Sequence, residues 1–425
     1  MKRVACVVLG GGRGTRLYPL THTRSKPAIR FGGRYRLIDV PLSNSINAGC
    51  QKIFVITQFL SSSLHRHIFR TYGPQACAPG FIELLAVEQK PYGDDNWFRG
   101  TADAVRKSLE HIVETPAEYF LILSGDQLYN LDFRAMVRFA KEKQAELVIA
   151  SLPVPPQTAQ RMGVLKVNSD SQVVDFEEKP TQPEALTEFH FRFSNTGEMD
   201  NSEKAEPRLL GSMGIYLFRR DTLLRLLEQD PREDFGQHLI PTQIEQGNVY
   251  SFLYEGYWED IGTVESFYHA NMALTRPEPV FNCYDENNPL FNSKVNLPPP
   301  KIHDTHMTYS IVCEGSVIEA KEVRGSILGP RCRIKQGTCI QDSYLMGNDF
   351  YTSPIPESQR LPSHMGIGRD CLIQKAIIDT NVQIGDRVQL INKKGLQTYD
   401  GDGVYIRDGI TIVTRGARIP DDFVL

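Results

Sequence analysis

The sequence has no close Cys-x-x-Cys pair, no long apolar run and no surplus of basic charge. Its eight cysteines (Cys6, Cys50, Cys77, Cys283, Cys313, Cys332, Cys339, Cys371) are scattered, which argues against a disulfide framework and for reduced thiols. No stretch approaches the roughly 18 apolar residues of a membrane span, so no membrane partner is expected. A formal net charge of -4 lacks the basic excess of a nucleic-acid binder, though a local basic cradle for a small anion remains possible. Lys2 and Arg3 precede an apolar run, as in a signal peptide. That run stops at Gly10 in a glycine-rich turn without a long apolar region or cleavage site. A buried first strand is expected, in a cytoplasmic protein or a plastid-stroma protein that has lost a transit peptide.

What is present is a soluble composition, 41% hydrophobic and 23% charged, over 425 residues, enough for two or three domains. Residues 1–275 alternate β-branched runs (4–9, 52–57, 119–123, 147–152) with amphipathic stretches (59–69, 102–113, 133–142). The alternation predicts an α/β domain: a Rossmann-like, mostly parallel sheet with helices on both faces and its ligand at the strands' carboxyl ends. Residues 181–206 are polar, acidic and aperiodic, and read as a mobile surface insertion. Residues 276–300 gather prolines and form a linker. From 301 to 425 aliphatic residues recur about every six positions (Ile311, Val317, Val323; Ile334, Ile340; Ile367, Ile373; Val382, Val388), with glycines between. That period predicts a left-handed parallel β-helix rather than a sandwich of short strands, and a domain of this kind commonly supplies subunit contacts.

The first strand runs into Gly10-Gly11-Gly12-Arg13-Gly14-Thr15-Arg16-Leu17, followed by Arg24-Ser25-Lys26-Pro27. Glycines let backbone amides close on an anion, and Arg16 and Lys26 add charge. The spacing is not a P-loop, and it misses the last glycine of a dinucleotide fingerprint. Strand 119–123 ends in Ser124-Gly125-Asp126, and Asp260 lies in Tyr257-Trp258-Glu259-Asp260. Two carboxylates far apart in sequence suit Mg²⁺, which takes few protein oxygens and several from phosphates. Taken alone, Asp126 reads equally well as a helix cap. Phe176-Glu177-Glu178-Lys179-Pro180 taken alone reads as solvated surface.

With Gly32-Gly33-Arg34-Tyr35-Arg36-Leu37-Ile38-Asp39, Ser43-Asn44, Trp97-Phe98-Arg99-Gly100-Thr101-Ala102-Asp103-Ala104, Ser212-Met213-Gly214-Ile215-Tyr216 and Trp258-Glu259-Asp260-Ile261-Gly262-Thr263, these motifs resemble the glucose-1-phosphate adenylyltransferase (ADP-glucose pyrophosphorylase) family. The likeness spans nearly the whole chain and leans to the plant and cyanobacterial branch. It implies transfer of the adenylyl group of ATP to glucose 1-phosphate, giving ADP-glucose and pyrophosphate with Mg²⁺, for glycogen or starch synthesis. By resemblance Arg16, Lys26 and Asp126 are catalytic, and Asp126 and Asp260 hold the metal. Gly10, Gly11, Gly12, Gly14, Thr15, Gln58, Gly100 and Thr101 would take the nucleotide. Gly163, Glu178, Lys179, Ser212, Tyr216 and Asp234 would take glucose 1-phosphate. Lys393 and Arg415 occupy positions like two contacts for anionic sugar-phosphate effectors, and a homotetramer is implied. Two departures stand out: Gln127 replaces the family's usual histidine after the metal aspartate, and Thr23 replaces a basic effector residue of the enteric branch.

Trp97 and Phe98 read as core aromatics, and His65-x-His67 as a helix surface. Three other readings compete: a pyrophosphorylase for another nucleotide, a non-catalytic regulatory subunit, and a β-helix acyltransferase. The intact motif residues stand against the second, and the third would depend on His364, in the irregular segment 352–363.

Overall fold

A computed structural model describes residues 1–73, 80–88, 97–180, 189, 191–192, 207–293, 295–352 and 365–425. The first strand, Val4–Leu9, is buried along most of its length. It pairs in parallel with Lys52–Thr57 on one side and Tyr119–Ser124 on the other, and Phe81–Ala86 extends the parallel run. Strands covered on both faces read as unbroken apolar runs, as VACVVL and KIFVIT do. The long strand Pro207–Arg219 then runs antiparallel to Tyr119–Ser124, Leu147–Val154 and Gly163–Val167, closing a ten-stranded mixed sheet. Because the three central strands are parallel, the Gly10–Gly14 turn, Gln58 and the Ser124–Asp126 segment all emerge at one edge.

Two helix boundaries differ from expectation. The helix expected at 59–69 is Ser62–Thr71, leaving Phe59 and Leu60 in the preceding turn. The one expected at 102–113 divides at Ser108 into Thr101–Lys107 and Leu109–Val113. Ser108 has near-bridge dihedrals, φ -95 and ψ 2, which interrupt the helical run. The expected insertion at 181–206 falls outside the described residues apart from positions 189, 191 and 192.

After Val264–Ala273 the chain runs through irregular backbone to Lys301–Ile302, the first strand of a three-faced stack. Six-, five- and seven-stranded sheets form the faces. Successive rungs pair in parallel, as in Ile318 with Ile334 and Ile340 with Ile373. An antiparallel extension, from Thr398–Asp400 to Ile410–Val413, ends the third face. Ile318, Val323, Leu328, Ile334, Ile340 and Leu345 begin the buried ladder that fills the interior. Ile311 and Val317, expected to point inward, are half-buried; Ile311 packs on the seam, and their neighbours Val312 and Ile318 face the interior. Val382 and Val388 are buried just outside the strands.

The two halves share a core. Leu17, Leu20, Ile29 and Phe31 belong to the same buried cluster as Ile327, Tyr344, Ile377 and Ile412 of the stack. Polar contacts reinforce the seam: Arg24 pairs with Asp379, both 3% exposed, Arg30 with Asp349 at 2.7 Å, and Arg34 with Glu314 at 2.6 Å. Among the described residues, no helix is long and apolar enough to cross a membrane, and seven cysteines are free.

Candidate active site

A cavity of about 890 Å³ opens at the sheet edge carrying the glycine-rich turn. Gly10 donates its N–H to the Ile56 carbonyl at 2.8 Å, which ties the turn to the neighbouring strand. Gly14 is left-handed, φ 62, and a Cβ there would stand 2.9 Å from the Thr21 methyl, so glycine is required. Gly11 and Gly12 line the cavity, and nothing lies within 4 Å of where a Cβ on Gly12 would be. Thr15–Leu17 is a short 3₁₀ turn that leaves Thr15 and Arg16 exposed.

The chain then doubles back to bring Lys26 beneath this turn. Lys26 Nζ lies 2.6 Å from Asp126 Oδ2 and 3.3 Å from Asp260 Oδ1. The second carboxylate arrives on a two-stranded ribbon in which Trp258–Asp260 pairs with Gln127–Tyr129, placing Asp260 opposite Gln127. Burial alone would lower the Lys26 pKa, but the two aspartates more than offset it and raise it. Burial likewise opposes ionisation of Asp126, yet Lys26 and the Ser124 hydroxyl hold it below the ordinary range. Asp260 is raised, first by burial and then by Asp126, with Lys26 pulling the other way. Across Gly262, Arg16 and Asp260 face each other: a Cβ on that glycine would be 3.3 Å from Arg16 Nη2 and 3.0 Å from Asp260 Oδ2. One ammonium already bridges both carboxylates, so they converge closely enough to share a cation. Two hard oxygen donors beside a cavity roomy enough for a phosphate-bearing ligand fit Mg²⁺.

The opposite wall is built by glycines that admit a carboxylate. A Cβ on Gly163 would run into the Phe176 ring and stand 2.8 Å from Glu178 Oε2, and one on Gly236 would also be 2.8 Å from that oxygen. Lys179 is left-handed at φ 49 and directly precedes Pro180, an unfavourable backbone held by its N–H bond to Met162 O at 3.0 Å. Its Nζ pairs with Glu178 Oε1 at 2.9 Å. Tyr216 faces the same cavity, its phenol pushed up by burial and then by Glu178, while Ser212 Oγ accepts the Gly214 N–H at 3.2 Å. Asp234 caps the helical turn Phe235–Leu239 through Gln237 N and accepts from Thr101 Oγ1 at 3.0 Å. Gly100 lies flush against the Glu233 carbonyl, which accepts from Ala102 N and Asp103 N. The expected nucleotide and sugar groups are therefore joined directly, through Thr101 and Asp234.

Several expectations change. Gln58 does line the cavity, but its amide is engaged: Oε1 accepts from Phe98 N at 2.7 Å and Nε2 donates to Phe98 O at 3.3 Å. It holds a wall backbone in place, and each of its two amide atoms keeps one further hydrogen-bonding position toward the cavity. Trp97 is not a core residue; it is 54% exposed and stacks on Phe59, which Arg13 covers from 5.1 Å. His67 is buried, not on the surface, because Asp39 accepts from it at 2.6 Å and from Tyr72 OH at 2.8 Å.

Lys393 and Arg415 lie at different corners of the stack, after Gln389–Leu390 and after Ile410–Val413. Arg415 reaches Asp349 Oδ2 at 2.9 Å; Lys393 is exposed. Sequence reading missed the company Arg415 keeps. Arg24, Arg30 and Arg36 converge on the same seam, where Arg36 is lowered to about 10 by burial and then by Arg30. No sequence pattern could pair Arg30 with Asp349 across 319 positions. His364, on which an acyltransferase reading depends, is outside the described residues.

Residues 5–277 match the nucleotidyl transferase family model, and residues 295–424 match that of the GLGC left-handed parallel beta-helix domain. The succession of the two is the signature of glucose-1-phosphate adenylyltransferase. With a match running from the first strand to the end of the last helix, the chain belongs to the nucleotidyl transferase family.

Proposed function

We propose that the protein transfers the adenylyl group of ATP to α-D-glucose 1-phosphate, yielding ADP-glucose and pyrophosphate for α-glucan synthesis. The observation that carries this reading is one cavity with a glycine-rich anion turn at one wall and the Glu178, Lys179 and Tyr216 cluster at another. A phosphate oxygen of glucose 1-phosphate attacks the α-phosphorus of ATP; the new P–O bond forms as the bond to the β-phosphate oxygen breaks. The attacker is already an anion at neutral pH, so the chain's task is positioning and charge rather than proton removal. Amides of the Gly10–Gly14 turn, with Arg16, hold the triphosphate. Lys26 steadies charge beside the two aspartates, and Lys179 draws the sugar phosphate toward them. Asp126 and Asp260 would hold Mg²⁺, which when bound supplies charge neutralisation for the triphosphate and the departing pyrophosphate.

In this reading residues 1–275 form the catalytic domain, 276–300 the linker and 301–425 an oligomerisation and regulatory domain. The arginine-rich seam, with Arg415, fits control by anionic sugar phosphates in a cytoplasmic or stromal homotetramer. Pyrophosphate release from purified protein with Mg²⁺ and glucose 1-phosphate, offering ATP, UTP, dTTP and GTP separately, tests the assignment. Release with ATP alone is expected. Release with a different nucleotide would move the product, and ATP binding without turnover would indicate a regulatory subunit.

A further inference from the structure

Gln127 sits between the two halves of this site and is used by neither. It follows Asp126 directly, opposes Asp260 across the ribbon, is 7% exposed and lines the cavity. Trp258 Nε1 lies 3.4 Å from its side-chain oxygen. An indole N–H only donates, so the atom facing it must be the carbonyl, and this fixes which way the amide points. The NH₂ group therefore faces the other way, toward the backbone of Gly214: a Cβ on that residue would stand 3.3 Å from Gln127 Nε2. Gly214 is left-handed at φ 68 and belongs to the strand that carries Ser212 and Tyr216. Among the described residues no side chain or carbonyl accepts from this NH₂, and Gln127 lines the cavity.

We infer that Gln127 Nε2 is a substrate-binding donor, delivering a hydrogen bond to an oxygen of the sugar phosphate where it passes from the Glu178–Tyr216 wall to the aspartate pair. The inference rests on the proposed function for the identity of that ligand. The amide suits the place chemically. It can donate beside two carboxylates without adding charge, and it does not ionise, so the contact is retained at any pH at which the fold survives. Trp258 acts only on Gln127 and counts as a positioning residue.

The test compares Gln127→Leu, Gln127→Glu and Trp258→Phe in the full-length protein. Initial rates are taken with each substrate varied in turn, and thermal midpoints are recorded. Loss of a donor to a charged acceptor raises KM for glucose 1-phosphate by about ten- to a hundredfold in Gln127→Leu. Gln127→Glu raises it at least as far by repelling the phosphate. KM for ATP stays within about threefold of wild type in both, and Trp258→Phe, which keeps the amide, has the smallest effect. Direct calorimetric titration of ADP-glucose reads the same loss without turnover. Equal rises in both KM values, or a Trp258→Phe variant as impaired as Gln127→Leu, would show a structural latch and overturn the inference. So would an unchanged KM for glucose 1-phosphate in a folded Gln127→Leu protein. Should wild type use another nucleotide, the comparison is run with that one, which separates failure of this inference from failure of the proposed function.

Discussion

The two halves of the molecule store information differently. In the stacked β domain each rung repeats its neighbour, so Ile318, Ile334, Ile367 and Ile384 follow one another along a single buried ladder. A residue's environment there is set by a short-range period. In the first half, by contrast, Lys26, Asp126 and Asp260 meet within about one hydrogen-bond length although the last lies 234 positions from the first. A period can be broken anywhere at a local cost, whereas a convergence point is lost all at once.

The largest expected effect tests the convergence point. Asp126→Asn leaves the strand and its packing intact but removes half of the paired charge on Lys26. The value of kcat/KM should fall on the order of 10³-fold with little change in thermal midpoint. A drop of less than tenfold in steady-state assays would remove Asp126 from the chemistry. Next comes the seam. Asp379→Ala strands Arg24, 3% exposed, without its partner, and breaking a buried pair from one side costs about 3–5 kcal/mol, read by denaturant unfolding. Within the ladder, Ile373→Ala should cost about 3 kcal/mol by leaving a cavity, with kcat unchanged because Ile373 packs in the interior of the β domain, between Ile340 and Leu390. Similar loss of activity and stability there would erase the contrast between the halves.

The smallest effect is a pH dependence. Burial opposes ionisation of Asp349, but Arg30, Asn381 and Arg415 lower its pKa overall. A carboxyl depressed in the folded state stabilises the fold above its unfolded value, about 3.9, and that contribution is lost as pH falls through the folded value. Asp349→Asn should therefore flatten the acid limb of stability below about pH 4, while reducing stability at pH 7. Parallel acid limbs for both proteins, in melts from pH 3 to pH 7, would rule out this pairing.

What was legible in the sequence follows the same division. The six-residue period gave the β domain, missing by one position at Ile311 and Val317, where Val312 and Ile318 turn inward instead. The glycine turn, Lys26, Asp126 and Asp260 could be singled out in the sequence through the motifs that carry the resemblance, whereas the bridge Lys26 makes between the two aspartates appears only in the fold. The bond from Gln58 to the backbone of Phe98 was not legible, because backbone partners leave no mark on composition. His67 was misjudged because Asp39, 28 positions earlier, reaches it only after folding. Gln127 was noticed for what it replaces; only the indole of Trp258 shows where its NH₂ points.

The buried Arg24–Asp379 pair bears on how such proteins can be recombined. Two family models describe the chain as if it were two interchangeable parts, yet the guanidinium two residues from Lys26 finds its acid in the second part. The segment matching the nucleotidyl transferase family, cut free after residue 277, would expose the apolar face around Phe31 and Leu17 and leave that cation unmatched. Grafting a foreign β domain onto it would succeed only if the newcomer brought an acid to the same place. Portability here is set by the border, its apolar face and its matched charges, more than by the quality of either fold.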